Sequence, residues 1–470
     1  HWDRAEARYI ALQPRRDGPW YLARSRGARG EPLDVYLERP YETLAEAHWA
    51  VFQKRWQQRA ESLPVVDAGD EVDPAAGVTT PSSTLVSPML TGYCDRFTAR
   101  ADETLNFKIS GELAGCYRAD LVRVRCGDGA NLAFKQTLLE STLSGQYPTR
   151  FQPVQAGSFM QASGVSLDAS WSFHVLIWPT LPGAAEQCVA GQWDHDTGRG
   201  TALMLDADGA LSLRVGDGER IERLDTGVPL GRRHWHSVAA SFDAGSGALW
   251  LAHSAHAPLT GLSAPTVEST GTATVDGKAS VPFRLAACTA SHAARSAGES
   301  ASALHFNGKL EAPTVYASAV SPHDRAAFLV NACTDALARA LVASWDFSRN
   351  MADTQVLDVS PHGRHGELIN MPTRAMKGAQ WNGTEYNWVH KPAHYAAVHF
   401  HDDDLHDCGW ETDFSYTVPV DLPSGLYAVW LRQGDQQDWI PFVVSPPVGT
   451  ANADLALLLP SASYWAYANR

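Results

Sequence analysis

Beyond about residue 89, apolar residues alternate with polar ones through most of the chain, in runs of strand length. Leu105, Phe107 and Ile109 alternate, and Leu121, Val122 and Val124 follow in a second run. Leu203 and Leu205 lead into an Asp208-Gly209 turn, after which Leu211, Leu213 and Val215 alternate back. Successive side chains of a strand point to opposite faces, so this pattern predicts a hairpin with one buried side. Trp235 to Asp243 predicts a further strand, turned near Gly245-Ser246-Gly247 and returned by Leu249-Trp250-Leu251. Residues 414–418, 426–431 and 440–444 are three more strand runs at hairpin spacing. Leu455 to Leu459 is apolar without interruption, the pattern of a strand buried on both faces of a parallel sheet. It predicts that an α/β domain opens at about residue 450.

The first 63 residues read differently. Thr43-Leu44-Ala45-Glu46 is a capping box, and Ala47 with Val51 and Phe52 with Trp56 then fall at i, i+4, the spacing of an amphipathic helix. Residues 64–88 are acidic and rich in Pro, Ser and Thr without periodicity, which predicts a linker. The fold class expected is therefore multidomain and mainly β. A short helical unit (1–63) and a linker (64–88) precede an Ig-like β-sandwich (89–155). A larger β domain follows at 156–375, then β-strands and the start of an α/β catalytic domain at 376–470. The larger β domain, with Trp171-Ser172-Phe173 before the hairpins and Phe306-Asn307-Gly308-Lys309-Leu310 after them, resembles the laminin-G or concanavalin-A-like jelly-roll. An Ala-, Ser- and Thr-rich stretch at about 258–303 interrupts the pattern and predicts a surface loop.

Composition narrows the partners. The net charge is −14 with only 19% of residues charged, so the chain lacks the basic footprint that nucleic acid or an anionic membrane requires. No run approaches the ~18 uncharged apolar residues of a spanning helix. The seven cysteines contain no C-x-x-C pair, and their sparse, odd number predicts reduced thiols and a cytoplasmic location. The chain begins at His1 and stops at Arg470 just after an aromatic motif, so it is expected to be part of a longer polypeptide.

Two clusters carry candidate chemistry. In His399-Phe400-His401-Asp402-Asp403-Asp404-Leu405-His406-Asp407, alternate residues put His399, His401 and Asp403 on one face. The spacing is one residue short of the H-x-H-x-D-H zinc pattern, because position 404 is Asp. A solvated, turn-forming loop is the competing reading. The second cluster is aromatic, with Tyr427 in Ser424-Gly425-Leu426-Tyr427 and Tyr464 and Tyr467 in Tyr464-Trp465-Ala466-Tyr467-Ala468-Asn469. A Tyr such as Tyr427 in a sandwich strand is ordinarily a core residue with its hydroxyl satisfied locally, whereas tyrosines just past a buried strand lie where α/β sheets gather ligands. There is no G-x-S-x-G, P-loop or H-E-x-x-H motif.

The ordered set Ala397–Leu405, Gly409-Trp410-Glu411-Thr412-Asp413-Phe414, Ser424-Gly425-Leu426-Tyr427-Ala428, Ile440-Pro441-Phe442 and Ser463–Asn469 resembles the large subunits of bacterial N,N-dimethylformamidases. So does the passage from Trp345-Asp346-Phe347 to His365-Gly366-Glu367-Leu368-Ile369-Asn370-Met371-Pro372, and the resemblance covers about 85–470. The first 63 residues look like that family's separate small subunit, here fused. The resemblance implies hydrolysis of a small neutral N-alkyl amide to formate and dialkylamine at a mononuclear iron, Fe3+, held by two tyrosinates and a glutamate. Tyr467 in A-Y-A-N is the first ligand implied and Tyr427 in S-G-L-Y the second, with Tyr464 the nearest competitor. The glutamate, the other pocket residues and the rest of the catalytic domain are expected beyond Arg470, and no catalytic residue is assigned. A homo-oligomer is expected, with neither nucleic acid nor membrane as partner. A carbohydrate-binding or adhesion protein and a zinc hydrolase built on His399, His401 and Asp403 are the alternatives.

Overall fold

The computed structural model describes residues 9–13, 18–24, 34–41, 50–51, 90–126, 134–256, 265–290, 301–332, 334–450 and 453–463. They fall in two units, 1–87 and 88–470. In the first, Tyr9–Leu12, Trp20–Arg24 and Asp34–Tyr41 form an antiparallel sheet in chain order. This corrects the expectation of a helical unit. The second and third strands are rich in aromatic and β-favouring side chains, among them Trp20, Tyr21, Val35 and Tyr36, and such side chains favour a pleated surface. Leu22 packs against Ala50 and Val51, which are helical and carry the expected helix as far as it is described. Thr43, Glu46, Ala47, Phe52, Trp56 and the linker at 64–88 lie outside the described residues.

In the second unit a small β-sandwich is built from two distant parts of the chain. In one sheet Thr104–Gly111 lies between Phe414–Thr417 and Leu90–Cys94. In the other, Gly425–Gln433 lies between Gln436–Val444 and Cys116–Cys126, which in turn pairs Lys135–Leu138 and Gly145–Pro148. Phe107 from the first part stacks on Phe414 at 5.3 Å and meets Phe442 edge-on at 5.8 Å, so neither part has a core without the other. The three strand runs after residue 410 therefore complete the sandwich expected at 89–155 and do not begin another domain.

Between these parts the chain builds a jelly-roll of two antiparallel layers. One centres on Trp171–Pro179, flanked by His236–Asp243 and Gly308–Tyr316. The other runs through Gln187–Asp194, Arg199–Leu205 and Ala210–Asp217. The predicted hairpin is present in register, Leu205 facing Leu211, and its turn uses Gly209 at φ +86°, a conformation that side-chain-bearing residues resist. Alternate residues of both layers, Phe173, Val175, Leu203, Leu213 and Leu310 among them, fill one core, where Trp345 stacks on Phe283 at 5.5 Å. Each such large apolar side chain contributes roughly 1.5–3 kcal/mol on burial.

Three expectations change here. The jelly-roll runs past residue 375, because Ala397–Phe400 pairs with Gly308–Tyr316. The stretch at 258–303 is not simply a surface loop, since Thr266–Thr272, Phe283–Leu285 and Cys288–Ala290 are strands and Phe283 and Leu285 are core residues. Leu455 to Leu459 is not a buried strand: residues 455–460 have no strand pairing, and Leu455, Leu457 and Leu458 are 90, 85 and 93% exposed. A strand is satisfied only by neighbours on its edges, and none of the described residues supplies them. No described helix is long and apolar enough to cross a membrane.

Candidate functional site

The histidine cluster sits where the chain leaves the jelly-roll. Strand pairing aligns Trp178, Lys309 and His399 in one row across three strands, and the His399 and His401 rings lie 4.0 Å apart. The expected common face for the two histidines is thus present. Asp403 does not join them; it is exposed in a turn, and the partner of His401 is Asp404, whose Oδ2 is 3.3 Å from Nδ1. That oxygen also accepts the Ser158 hydroxyl at 2.6 Å and the His401 backbone N–H at 3.2 Å. It is the acceptor that closes a turn. Ser, His and Asp meet here, but the Ser158 proton goes to the carboxylate and not to the imidazole, so no nucleophile is activated.

Among the described residues no group of three or more His, Cys, Asp or Glu is placed to hold a metal, which removes the zinc reading of His399, His401 and Asp403. Burial, with the like charges of His401 and Lys309, pushes His399 down to about 4 and keeps it neutral. Hydrogen bonding to Asp404 raises His401.

The clasp also has a structural task. Gly157 N–H donates to Asp404 O at 2.8 Å and Ser158 N–H to His401 O at 2.9 Å. Farther along, Gln152 donates to Ile109 O at 2.8 Å, Glu411 N–H donates to the Gln152 side chain at 2.8 Å, and Trp410 Nε1 donates to Pro153 O at 3.0 Å. The outgoing and returning connectors between sandwich and jelly-roll are tied together along their length.

Tyr427 lies in the sandwich, fully buried, its ring stacked on Phe442 at 5.9 Å. Its hydroxyl donates to Pro423 O, four residues upstream, at 2.6 Å. Tyr147 does the same with Leu143 O at 2.8 Å. This corner arrangement is a packing device of β-sandwiches. Burial raises the Tyr427 pKa, while the positive charges of Arg123 and Arg125 work the other way and favour the phenolate. In the described residues Tyr427 is a core residue of the sandwich with its hydroxyl satisfied locally, the ordinary reading of a Tyr in such a strand. Tyr464 and Tyr467 lie outside the described residues.

One charged group escaped the sequence reading. Glu311, two residues from Lys309 on the same strand face, is buried and accepts the Ala379 N–H at 2.6 Å. A Cβ at Gly378 would stand 2.6 Å from the same oxygen, so a side chain there would force the Glu311 carboxylate to shift. Lys309 Nζ lies 4.2 Å from the Trp178 ring centroid and donates to Lys377 O at 3.3 Å. Burial pushes Glu311 up to about 7. The K-x-E alternation was the available signal, but the strap that buries it is remote in sequence.

Residues 373–469 match the family described as N,N-dimethylformamidase beta subunit-like, C-terminal, and residues 3–63 match N,N-dimethylformamidase alpha subunit. The N,N-dimethylformamidase beta subunit of Paracoccus aminophilus is 35% identical over 397 residues, which is 80% of this chain and 52% of that protein. The beta subunit from Alcaligenes sp is 35% identical over 398 residues, with the same coverage. The chain spans about half the length of the curated relatives it matches. Among solved structures, a candidate carbohydrate-binding protein from Bacteroides ovatus overlaps 60% of this chain and 96% of its own, at 11% identity and a TM-score of 0.32.

Proposed function

We propose, from the premise that this chain belongs to the N,N-dimethylformamidase family, that the protein hydrolyses N,N-dimethylformamide or a similar small N-alkyl amide to the carboxylate and the amine. The observation that carries this reading is the sequence likeness in chain order. An alpha-subunit-like segment at 3–63 precedes beta-subunit-like sequence that ends in a matched C-terminal region. The same order supports a fused arrangement of parts that the names of its relatives give to separate subunits. A homo-oligomer is proposed with it.

A dialkyl amide carries no N–H and no charge, so its pocket must be small and largely apolar. Hydrolysis needs a water made nucleophilic, donors aimed at the developing oxyanion, and an acid for the departing amine. A mononuclear iron would supply water activation. The histidine clasp offers no ligand set for it, and Tyr427 would have to give up its hydrogen bond to Pro423 O to serve as a ligand. We place the proposed iron with Tyr467 as first ligand, outside the described residues, and Tyr427 as second. Among the described residues Cys94, Cys116, Cys126, Cys188 and Cys288 are unbridged thiols, which supports a reducing, cytoplasmic setting.

The test is amine and formate release by the purified protein from a series of N-alkyl formamides and acetamides, with iron measured in the same preparation. The expected outcome is equimolar products and bound iron that Tyr467→Phe removes and Tyr427→Phe weakens. A protein without hydrolytic activity on any member of the series would overturn the function. Full iron retention in Tyr467→Phe would overturn the ligand alone.

A further inference from the structure

The hairpin joining Leu341–Asp346 to Gln355–Asp358 turns through residues 347–354, and its carbonyl groups converge on one side chain. Arg374 Nη1 donates to Asp353 O at 2.8 Å, Asn350 O at 3.1 Å and Gln355 O at 3.2 Å. Its Nη2 donates to Arg349 O at 2.9 Å and Phe347 O at 3.2 Å. Two terminal nitrogens carry four N–H groups, so five acceptors oblige at least one to be shared. Nε is buried and makes no hydrogen bond, and the whole interaction runs through the planar fork. Five carbonyl dipoles directed at one point repel one another, and a positive charge between them is what holds them there.

The chain is bent to deliver that charge. Asn370, Met371 and Ala375, on either side of Arg374, have φ of 58°, 49° and 55°, a region that residues other than glycine seldom enter. Such strain persists only where surrounding contacts enforce it. Burial lowers the Arg374 pKa while the nearby Asp353 carboxylate works the other way. The hairpin is shaped further by Asp346, which accepts from Ser348 N–H at 2.9 Å and from Arg349 Nε at 3.0 Å.

We propose that residues 347–355 form a binding site for a planar guanidinium cation, which the chain fills with its own Arg374, and that the hairpin keeps its shape only while that cation is in place. The site ties the start of the matched C-terminal region, residue 373, to the jelly-roll edge. It is independent of the amide-hydrolysis reading, since no substrate or iron enters it.

The test is amide hydrogen exchange, read by mass spectrometry, on the full chain. In Arg374→Ala the peptide spanning 346–356 should exchange on the order of tenfold faster or more, with the sandwich strands unchanged. Methylguanidinium at about 10 mM, far below denaturing levels, should slow that peptide again by mass action, while sodium at equal ionic strength should not. Parent-like protection in Arg374→Ala, loss that methylguanidinium leaves unreversed, or equal rescue by sodium would each overturn the proposal. Should Arg374→Ala fail to fold, Arg374→Lys decides. An ammonium has three donors for five acceptors, so exchange at 346–356 should be several-fold faster, and parent-like protection there overturns the site.

Discussion

Tyr427 shows what a buried phenol contributes to a β-sandwich. Its hydroxyl is committed to Pro423 O inside an apolar sandwich. Replacement by Phe should leave that acceptor unsatisfied and cost about 1–2 kcal/mol in urea unfolding. Glu311 is the opposite kind of residue, a buried acid whose titration the fold displaces. It ionises at about 7 in the folded protein, against about 4.3 for a free side chain. Between those values the folded state holds a proton the unfolded state has released, so stability falls as pH rises through that window. The loss is on the order of 3–4 kcal/mol by linkage. Glu311→Gln keeps an oxygen for the Ala379 N–H and should flatten the slope. Coincident slopes for the parent and the variant, in urea midpoints taken from pH 4.5 to 7.5, would refute this. Lys309 and Asp346 are the charged groups that act on Glu311, and both remain in the variant.

At the scale of elements, much of the β structure was legible because period-two alternation reports one-sided burial directly. The hairpin at 203–215, the strand pair at 236–255 and the runs at 414–444 are where alternation puts them. What alternation does not report is partnership. Nothing local in residues 414–417 says that they pair with 104–107, and the sandwich boundary was misplaced for that reason. Small residues mislead in another way: Ala286 and Ala287 are fully buried, yet an Ala- and Ser-rich stretch reads as a loop. The histidine pair was legible because strand geometry fixes it, whereas the choice of Asp404 over Asp403 depends on a turn and on Ser158, far away in sequence. Leu455 to Leu459 shows the limit of a purely apolar signal, since composition can ask for a buried strand but cannot provide its neighbours.

At the scale of the whole unit, the jelly-roll is an insertion in the sandwich, and its two ends are adjacent, with Gly157 N–H only 2.8 Å from Asp404 O. A sandwich whose core is shared between residues 90–148 and 414–444 should not need the inserted domain for stability. Replacing residues 158–403 by a loop of about three or four residues, the length of a tight turn, is expected to leave a cooperatively unfolding protein with near-ultraviolet dichroism from the packed aromatic rings around Phe107. A molten or unfolded product would show that the two domains stand only together.

The same insertion imposes an order on biosynthesis. Leu105, Phe107 and Ile109 emerge from the ribosome early, but the strands that cover them end at Val444, more than 300 residues later. At 5–20 residues per second the half-built sheet waits for roughly 15–60 s with its apolar face uncovered. A nascent chain of this kind is a natural client for a holding chaperone until its last strands arrive.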